Sequence, residues 1–106
     1  MNWIGLSFLL AGCAASPLEQ INTEVNHRIA YKHYAKRDYR YALGGEGNCA
    51  VFAATKLVEL KLAGIDGQLR ECVLQSGQGH AFVVVDGWVL DNRTDRILRV
   101  EEVGCR

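Results

Sequence analysis

A two-residue turn signal stands between two apolar runs in the C-terminal half of the chain. Residues 80–85 are rich in β-branched side chains, Asp86-Gly87 follows, and residues 88–91 continue the apolar pattern. An Asp-Gly pair between such runs is typical of a β-hairpin with a type I′ turn. The pattern therefore predicts an antiparallel sheet here, and the length of the turn sets which residues face each other.

Further β patterns flank the hairpin. We expect strands over 69–74 and over 97–103. Since helical patterns come before all of these strands, the expected class is α+β, with N-terminal helices packed on a small antiparallel sheet. The 106 residues suffice for one domain, and the balance of 12 basic and 12 acidic residues disfavours nucleic acid as a partner.

The first helical pattern follows Ser16 and Pro17, a good capping residue and a proline suited to the first helical position. Apolar residues then recur at helical spacing as far as Ile29. Nothing pairs His27 or His33 with metal-ligand partners, so we expect both as surface histidines on this helix.

A second helical pattern, over 49–63, follows a glycine-rich loop. Asn48 is a good N-cap residue, so Cys49 takes the first helical position. A thiol there feels the positive end of the helix dipole, which favours the thiolate that a nucleophilic cysteine needs. The alternative is that Cys49 is a small buried hydrophobic residue.

The hairpin register predicts a hydrogen-bond partner for the imidazole of His80. With a two-residue turn, Phe82 faces Asp91, and His80 lies two residues away on the same face. Diagonal neighbours in a sheet are roughly 7 Å apart, so His80 and Asp91 can hydrogen-bond. We expect Phe82, Val84 and Val89, which share this face, to pack on the second helix and so bring its cysteine to the histidine.

Such an arrangement suits attack on an acyl carbon. His80 would accept the thiol proton of Cys49, and Asp91 would hold the imidazole in the correct tautomer. Backbone N–H groups near the sulfur would stabilise the oxyanion. Each residue also has a structural alternative, because a histidine that starts a strand and an aspartate that ends one are common without any catalytic role.

Several short motifs run through most of the chain. They are residues 25–31, Gly47-Asn48-Cys49 with Phe52-Ala53 and Lys56, Gly79-His80-Ala81, and Leu90-Asp91-Asn92. In this order they resemble the bacterial transglutaminase-like cysteine proteinases. The resemblance implies a transglutaminase-core fold related to papain and periplasmic proteolysis, with Cys49 as nucleophile, His80 as base and Asp91 as orienting residue. Some members of that family cleave bacterial surface adhesins under calcium control.

The chain departs from this family around the cysteine. Family members usually carry acidic residues on both sides of it, whereas Asn48 and Ala50 stand there in this chain. We therefore predict no calcium site, and we expect no other metal or cofactor. The segment before the cysteine is also short, which leaves Gly47, Asn48 and Tyr41 as the candidates for the oxyanion and substrate loop.

Two further cysteines leave alternatives open. In an oxidising compartment Cys72 and Cys105 would form a disulfide that ties the C-terminus to the sheet, and otherwise Cys72 is an ordinary strand residue. A zinc site that combines them with Cys49 and His80 has no paired Cys-x-x-Cys or His-x-x-His spacing to support it.

The N-terminus resembles an export signal. Residues 3–15 are apolar, too few to span a membrane and suited to the core of a signal peptide. Residues 10–13, Leu-Ala-Gly-Cys, resemble the lipobox of bacterial lipoproteins, in which the cysteine is lipidated after cleavage. We expect a signal peptide over 1–12 and a peptidase domain over 13–106, anchored through Cys13 in the periplasm or cell envelope. Since no basic residue precedes the apolar run, an unlipidated signal peptide or a start site assigned too far downstream stays open.

The expected function is a cysteine peptidase that cleaves peptide or isopeptide amides of an envelope peptide or protein through a thioester. Transglutaminase-type transfer to an amine uses the same groups, and the outcome depends on whether water or an amine reaches the thioester. A non-catalytic envelope lipoprotein that keeps the fold as a binding module is the third alternative.

Overall fold

The computed structural model describes residues 16–106, so the expected signal peptide and the lipidation site at Cys13 lie outside the described residues. In chain order the elements are α1 (Pro17–Arg28), β1 (Ala30–Tyr31), β2 (Glu46–Gly47), α2 (Cys49–Leu62), β3 (Gln68–Val73), β4 (Gly79–Val85), β5 (Trp88–Leu90) and β6 (Leu98–Arg99), followed by a 3₁₀ helix (Val100–Glu102). This is the expected α+β arrangement, and the antiparallel sheet has the order β3-β4-β5-β6. Within residues 16–106, no helix has the length and apolar character needed to cross a membrane.

Helix α1 is capped as predicted but ends before the second of its expected histidines. The Ser16 hydroxyl accepts a hydrogen bond from the backbone N–H of Glu19 (3.2 Å). After Arg28 the backbone becomes extended, because the next residues form β1 and pair in parallel with β2. His33 therefore lies in a loop beyond β1, and the expectation that it belongs to the helix is wrong. Its side chain is exposed, as is that of His27.

Helix α2 has both of its predicted ends. The Asn48 Oδ1 accepts the backbone N–H of Ala50 (3.1 Å) at the start. At the other end Gly64 adopts a φ of 78°, and the N–H of Ile65 donates to the backbone oxygen of Leu60 (2.9 Å). This closure of the last turn needs a positive φ, which glycine adopts without strain. The helix packs against α1 on one side and β4 on the other.

The hairpin has the predicted turn and register. Asp86 and Gly87 have φ values of 50° and 82°, which is the type I′ combination, and β4 pairs with β5 across a two-residue turn. The last strand is shorter than predicted. The Glu102 carboxylate accepts the backbone N–H of Arg99 (2.7 Å) and so ends β6 in the 3₁₀ helix.

Helix α2 packs on the opposite face of the sheet from the one that we expected. The clusters are Ala53, Leu60, Ala81, Val83, Val85 and Leu90 on the helix side, and Phe82, Val84, Val89, Leu98 and Val103 on the other. The C-terminal segment thus covers the face that was assigned to the helix. Every residue of β4 after its first is buried, so the alternation of its side chains does not reveal which face the helix takes.

The C-terminal segment is tied to the sheet, as the disulfide alternative required. Cys72 and Cys105 form a disulfide. Beside it the backbone N–H of Gln75 donates to the oxygen of Gly104 (2.9 Å), and that of Arg106 donates to Val73 (2.9 Å). The segment therefore continues the sheet at the end of β3.

Candidate functional site

The backbone at Gly47 packs so closely against α2 that it leaves no room for a side chain. A Cβ atom on Gly47 would lie 2.6 Å from the side chain of Val51, so glycine is required there. Asn48 then caps the helix, and Cys49 takes the first helical position, as predicted. The sulfur thus lies at the N-terminal end of a buried helix, where backbone N–H groups favour negative charge.

Cys49 is half-buried and is the only free cysteine among residues 16–106. Burial by itself raises the pKa of the thiol. Hydrogen bonds from His80 and from the backbone N–H groups of Ala81 and Ala50 outweigh this effect and bring the pKa of Cys49 below its ordinary value. The thiol therefore loses its proton more readily than an isolated cysteine.

The predicted hydrogen bond between His80 and Asp91 is present. Nε2 of His80 lies 3.0 Å from Oδ2 of Asp91, and both side chains are buried. Because a carboxylate only accepts hydrogen bonds, Nε2 carries a proton, which leaves Nδ1 for the sulfur of Cys49. Desolvation lowers the pKa of His80, but the bonds to Asp91 and Cys49 prevail and raise this pKa above its ordinary value. The ring also stacks on Phe82, with centroids 5.9 Å apart.

Arg93, which sequence reasoning missed, binds the same carboxylate. Its Nη2 donates to Oδ2 of Asp91 (2.7 Å), its Nε donates to Oδ1 (3.1 Å), and its backbone N–H also donates to Oδ1 (2.9 Å). Burial opposes ionisation, but the hydrogen bonds from His80 and Arg93 hold the pKa of Asp91 well below its usual range. The Asp-x-Arg spacing is the signal that could have found this residue, because an aspartate often closes a turn onto the backbone two residues on.

The cysteine and histidine lie on the floor of an open cleft of about 730 Å³. One wall is the loop between β1 and β2, which contributes Tyr34 and Tyr39, with Tyr31 of β1 beside it. The other wall consists of the ends of β3 and β4. The aromatic and basic residues of 31–39 thus form one wall of the cleft.

Side-chain links join the two walls of the cleft. Arg37 donates to the Glu71 carboxylate of β3 (3.0 Å), and the Tyr39 hydroxyl donates to the same carboxylate. Burial and the neighbouring Glu71 carboxylate raise the pKa of Tyr39 far above its usual range, so its hydroxyl stays protonated. Farther along, Nδ1 of His33 lies 3.4 Å from Nε2 of Gln78.

The structure corrects the side-chain candidates for an oxyanion donor. Tyr41 does not line the cleft, because its hydroxyl donates to Glu59 (2.8 Å) on α2. Asn48 lines the cleft, but its Nδ2 donates to the backbone oxygens of Tyr34 (2.9 Å) and Lys36 (2.8 Å), which uses both amide hydrogens. The remaining donor at the start of α2 is the backbone N–H of Cys49, because the N–H groups of Ala50 and Val51 donate to Oδ1 (3.1 Å) and to the backbone oxygen (3.1 Å) of Asn48.

No metal centre can be assigned to the described part of the chain. Across residues 16–106, no group of three or more His, Cys, Asp or Glu side chains is arranged to hold a metal ion. The groups that surround the sulfur are instead suited to proton transfer and to stabilising negative charge.

The helices and the antiparallel sheet form a transglutaminase-like α+β fold. Solved structures of Legionella pneumophila LapG share it. Calcium-bound LapG matches with a TM-score of 0.66 at 20% sequence identity, over 84% of this chain and 60% of LapG. EGTA-treated LapG matches with a TM-score of 0.67 at 20% identity, over 84% of this chain and 58% of LapG. No protein-family model and no curated protein matches the sequence.

Proposed function

We propose that this chain is a cysteine peptidase that hydrolyses amide bonds through a thioester formed on Cys49. The observation that carries the proposal is that Cys49 and His80 line the same open cleft, with His80 in turn hydrogen-bonded to Asp91 (3.0 Å). The motifs that resemble the bacterial transglutaminase-like cysteine proteinases contain the same three residues. The fold shared with LapG is compatible with this chemistry, although the chain spans only 60% of the length of LapG.

The reaction begins with transfer of the thiol proton from Cys49 to Nδ1 of His80. The lowered pKa of the thiol and the raised pKa of the imidazole both favour the resulting thiolate–imidazolium pair. The thiolate attacks the carbonyl carbon of the amide, and an electron pair moves onto the carbonyl oxygen. As the C–N bond breaks, the imidazolium gives its proton to the leaving amine, and the thioester remains.

Hydrolysis of the thioester completes the cycle. His80 takes a proton from water while the oxygen attacks the thioester carbon, and the acid product leaves as the thiolate reforms. The developing oxyanion is stabilised by the backbone N–H of Cys49 at the start of α2 and by the positive end of the helix dipole. Asp91 keeps the proton on Nε2 throughout and stabilises the imidazolium.

The proposal includes a location and a substrate class. We assign the protein to the bacterial cell envelope, anchored through Cys13, with peptides or proteins of that compartment as substrates. The lipobox-like residues 10–13 support the anchor, and the disulfide between Cys72 and Cys105 suits an oxidising compartment. An open cleft with aromatic and charged walls has room for an extended peptide segment.

The test measures the reactivity of Cys49 in the full chain, with Cys49→Ala and His80→Ala as variants. Iodoacetamide should modify Cys49 rapidly below about pH 7, where an ordinary thiol is mostly protonated. His80→Ala should move this reactivity to higher pH. Mass spectrometry of the peptide that contains Cys49 follows the reaction.

A turnover assay completes the test. The wild-type protein should hydrolyse an unfolded protein such as casein, and Cys49→Ala should not. Adding a labelled primary amine separates the two chemistries, because acyl transfer would incorporate the label and hydrolysis would not. An unreactive Cys49 at about pH 8 would contradict the proposal and favour the non-catalytic binding module.

A further inference from the structure

The carboxylate of Asp91 accepts hydrogen bonds from Arg93 as well as from His80. Its Oδ2 accepts from Nε2 of His80 at 3.0 Å and from Nη2 of Arg93 at 2.7 Å. Its Oδ1 accepts from Nε and from the backbone N–H of Arg93, and from no other group within residues 16–106. The guanidinium therefore makes more contacts with this carboxylate than the imidazole does.

Arg93 is itself held in place. Its Nη2 also donates to the backbone oxygen of Val103 (2.8 Å), in the segment that covers the sheet. The backbone bond to Asp91 closes a tight turn, so side chain and main chain of Arg93 fix the carboxylate together. While Asp91 is fully buried, the Arg93 side chain is 41% exposed and reaches it from the solvent side.

The charge of Arg93 opposes part of the charge of Asp91. A guanidinium stays protonated at every accessible pH, so it offsets the carboxylate permanently. Asp91 raises the pKa of His80, whereas Arg93 lowers it. Arg93 also interacts electrostatically with Cys49, and a nearby cation favours the thiolate.

Other charged groups lie around the three residues. They are Lys56 on α2, Asp95 beyond β5 with its partner His27 on α1, and Tyr39, Arg37 and Glu71 on the cleft walls. Among residues 16–106, only His80 and Arg93 donate side-chain hydrogen bonds to the Asp91 carboxylate. Arg93 is thus the cation in direct contact with the group that orients the imidazole.

We propose that Arg93 is a positioning residue that fixes the Asp91 carboxylate and offsets its charge, so that the thiolate–imidazolium pair forms over a lower pH range than Asp91 alone would set. The inference rests on the proposed function, because it concerns the ion pair of Cys49 and His80. The range is bounded by the midpoint of the thiol and the midpoint of the imidazole. A nearby cation lowers both, because it helps the thiol to ionise and helps the imidazolium to lose its proton.

The test compares Arg93→Gln and Arg93→Lys with a matched control, Arg96→Gln. Arg96 lies in the same loop between β5 and β6, is mostly exposed and pairs only loosely with Glu102 (3.6 Å). The rate of iodoacetamide modification of Cys49 is measured in the full chain between about pH 4 and pH 10, which gives the thiol midpoint. The imidazole midpoint of His80 is measured by NMR in a Cys49→Ser background.

Arg93→Gln should raise both midpoints by roughly 0.5–1 pH unit. Arg93→Lys keeps the charge but loses the forked contact, so its midpoints should stay near wild type while the maximal alkylation rate falls severalfold. Arg96→Gln should change nothing. If Arg93 had only a structural role, its substitution would lower the alkylation rate of Cys49 at every pH without moving either midpoint.

Two results would overturn the inference in different ways. A low wild-type thiol midpoint that stays unchanged in a folded Arg93→Gln protein rejects the role of Arg93 and leaves the proposed function standing. A wild-type midpoint near that of an ordinary thiol, about 8.5, rejects both. If Arg93→Gln does not fold, Arg93→Lys decides, because wild-type rates and midpoints in that variant would exclude a positioning role.

Discussion

Asn48 joins the cleft wall to the helix that carries the sulfur. Its Nδ2 donates to the backbone oxygen of Tyr34 (2.9 Å), while its Oδ1 accepts the backbone N–H of Ala50 and caps α2. A single buried side chain thus fixes both the start of the helix beneath Cys49 and the loop opposite β3. Any change at Asn48 should therefore affect stability and the site together.

Asn48→Ala should destabilise the protein markedly. It removes the cap of α2 and one of the two hydrogen bonds to each of the backbone oxygens of Tyr34 and Lys36, so we expect the free energy of unfolding to fall by about 2–4 kcal/mol. Asn48→Ser keeps a capping oxygen and should lose less. Urea denaturation followed by tryptophan fluorescence measures both variants. An Asn48→Ala protein within about 0.5 kcal/mol of wild type would show that the loop does not depend on this side chain.

Asp91→Asn should abolish most turnover and leave the fold in place. The asparagine amide would donate to Nε2 of His80, which puts the ring proton on Nδ1, where the base is needed. The pKa of His80 should fall, because the bond to Asp91 raises it. The ion pair exists above the thiol pKa and below the imidazole pKa, so it is lost from the high-pH side.

The size of the loss in turnover distinguishes a catalytic role of Asp91 from a structural one. We expect hydrolysis to fall by about 10²–10⁴-fold in Asp91→Asn. Circular dichroism and the urea midpoint serve as the controls for folding. Turnover at the wild-type rate in a folded variant would remove Asp91 from the mechanism.

The features that sequence reasoning predicted well depend on neighbouring residues. Asp86-Gly87 sets the turn, the turn sets the register, and the register brings Asp91 to His80. The caps at Asn48 and Gly64 are local in the same way, because each acts within one turn of helix.

The features that it missed depend on which surfaces meet across the fold. Both faces of β4 are apolar, so the pattern alone could not assign α2 to one of them. Tyr41 turned out to bind Glu59, which is 18 residues away, and β1 forms only because β2 lies beside it. Since these contacts join distant parts of the chain, neither periodicity nor spacing identifies them.

Calcium should have no effect on this protein. LapG has been solved in calcium-bound and EGTA-treated forms, whereas Asn48 and Ala50 flank Cys49 here and supply no carboxylate. Tight calcium sites usually need several carboxylate or carbonyl oxygens around one ion. We expect neither calcium nor EGTA to change the unfolding temperature or the alkylation rate of Cys49. A rise in unfolding temperature with calcium, and not with magnesium as the control, would contradict this prediction.

Lys56 lies in the core of the domain, close to the candidate site. Its side chain is 1% exposed, and its ammonium has no hydrogen-bond partner among residues 16–106. Its Nζ lies over the ring of Phe52, 5.8 Å from the ring centroid. Burial lowers the pKa of Lys56 to about 7, although the carboxylates of Asp91 and Asp95 oppose the shift. Keeping this group charged in the folded state therefore costs stability.

Lys56→Met should stabilise the fold near neutral pH and flatten its pH dependence. The pKa of Lys56 is about 7 in the folded protein and near 10.5 in the unfolded chain. Between these values the unfolded chain binds more protons, so the free energy of unfolding of the wild type rises with pH. The variant lacks this penalty, so we expect a gain of about 1–4 kcal/mol near pH 7 that shrinks towards pH 9. Urea denaturation at both pH values measures it, with Lys61→Met, exposed on the same helix, as the control. A destabilised Lys56→Met protein would show instead that the ammonium makes a favourable interaction that outweighs its burial.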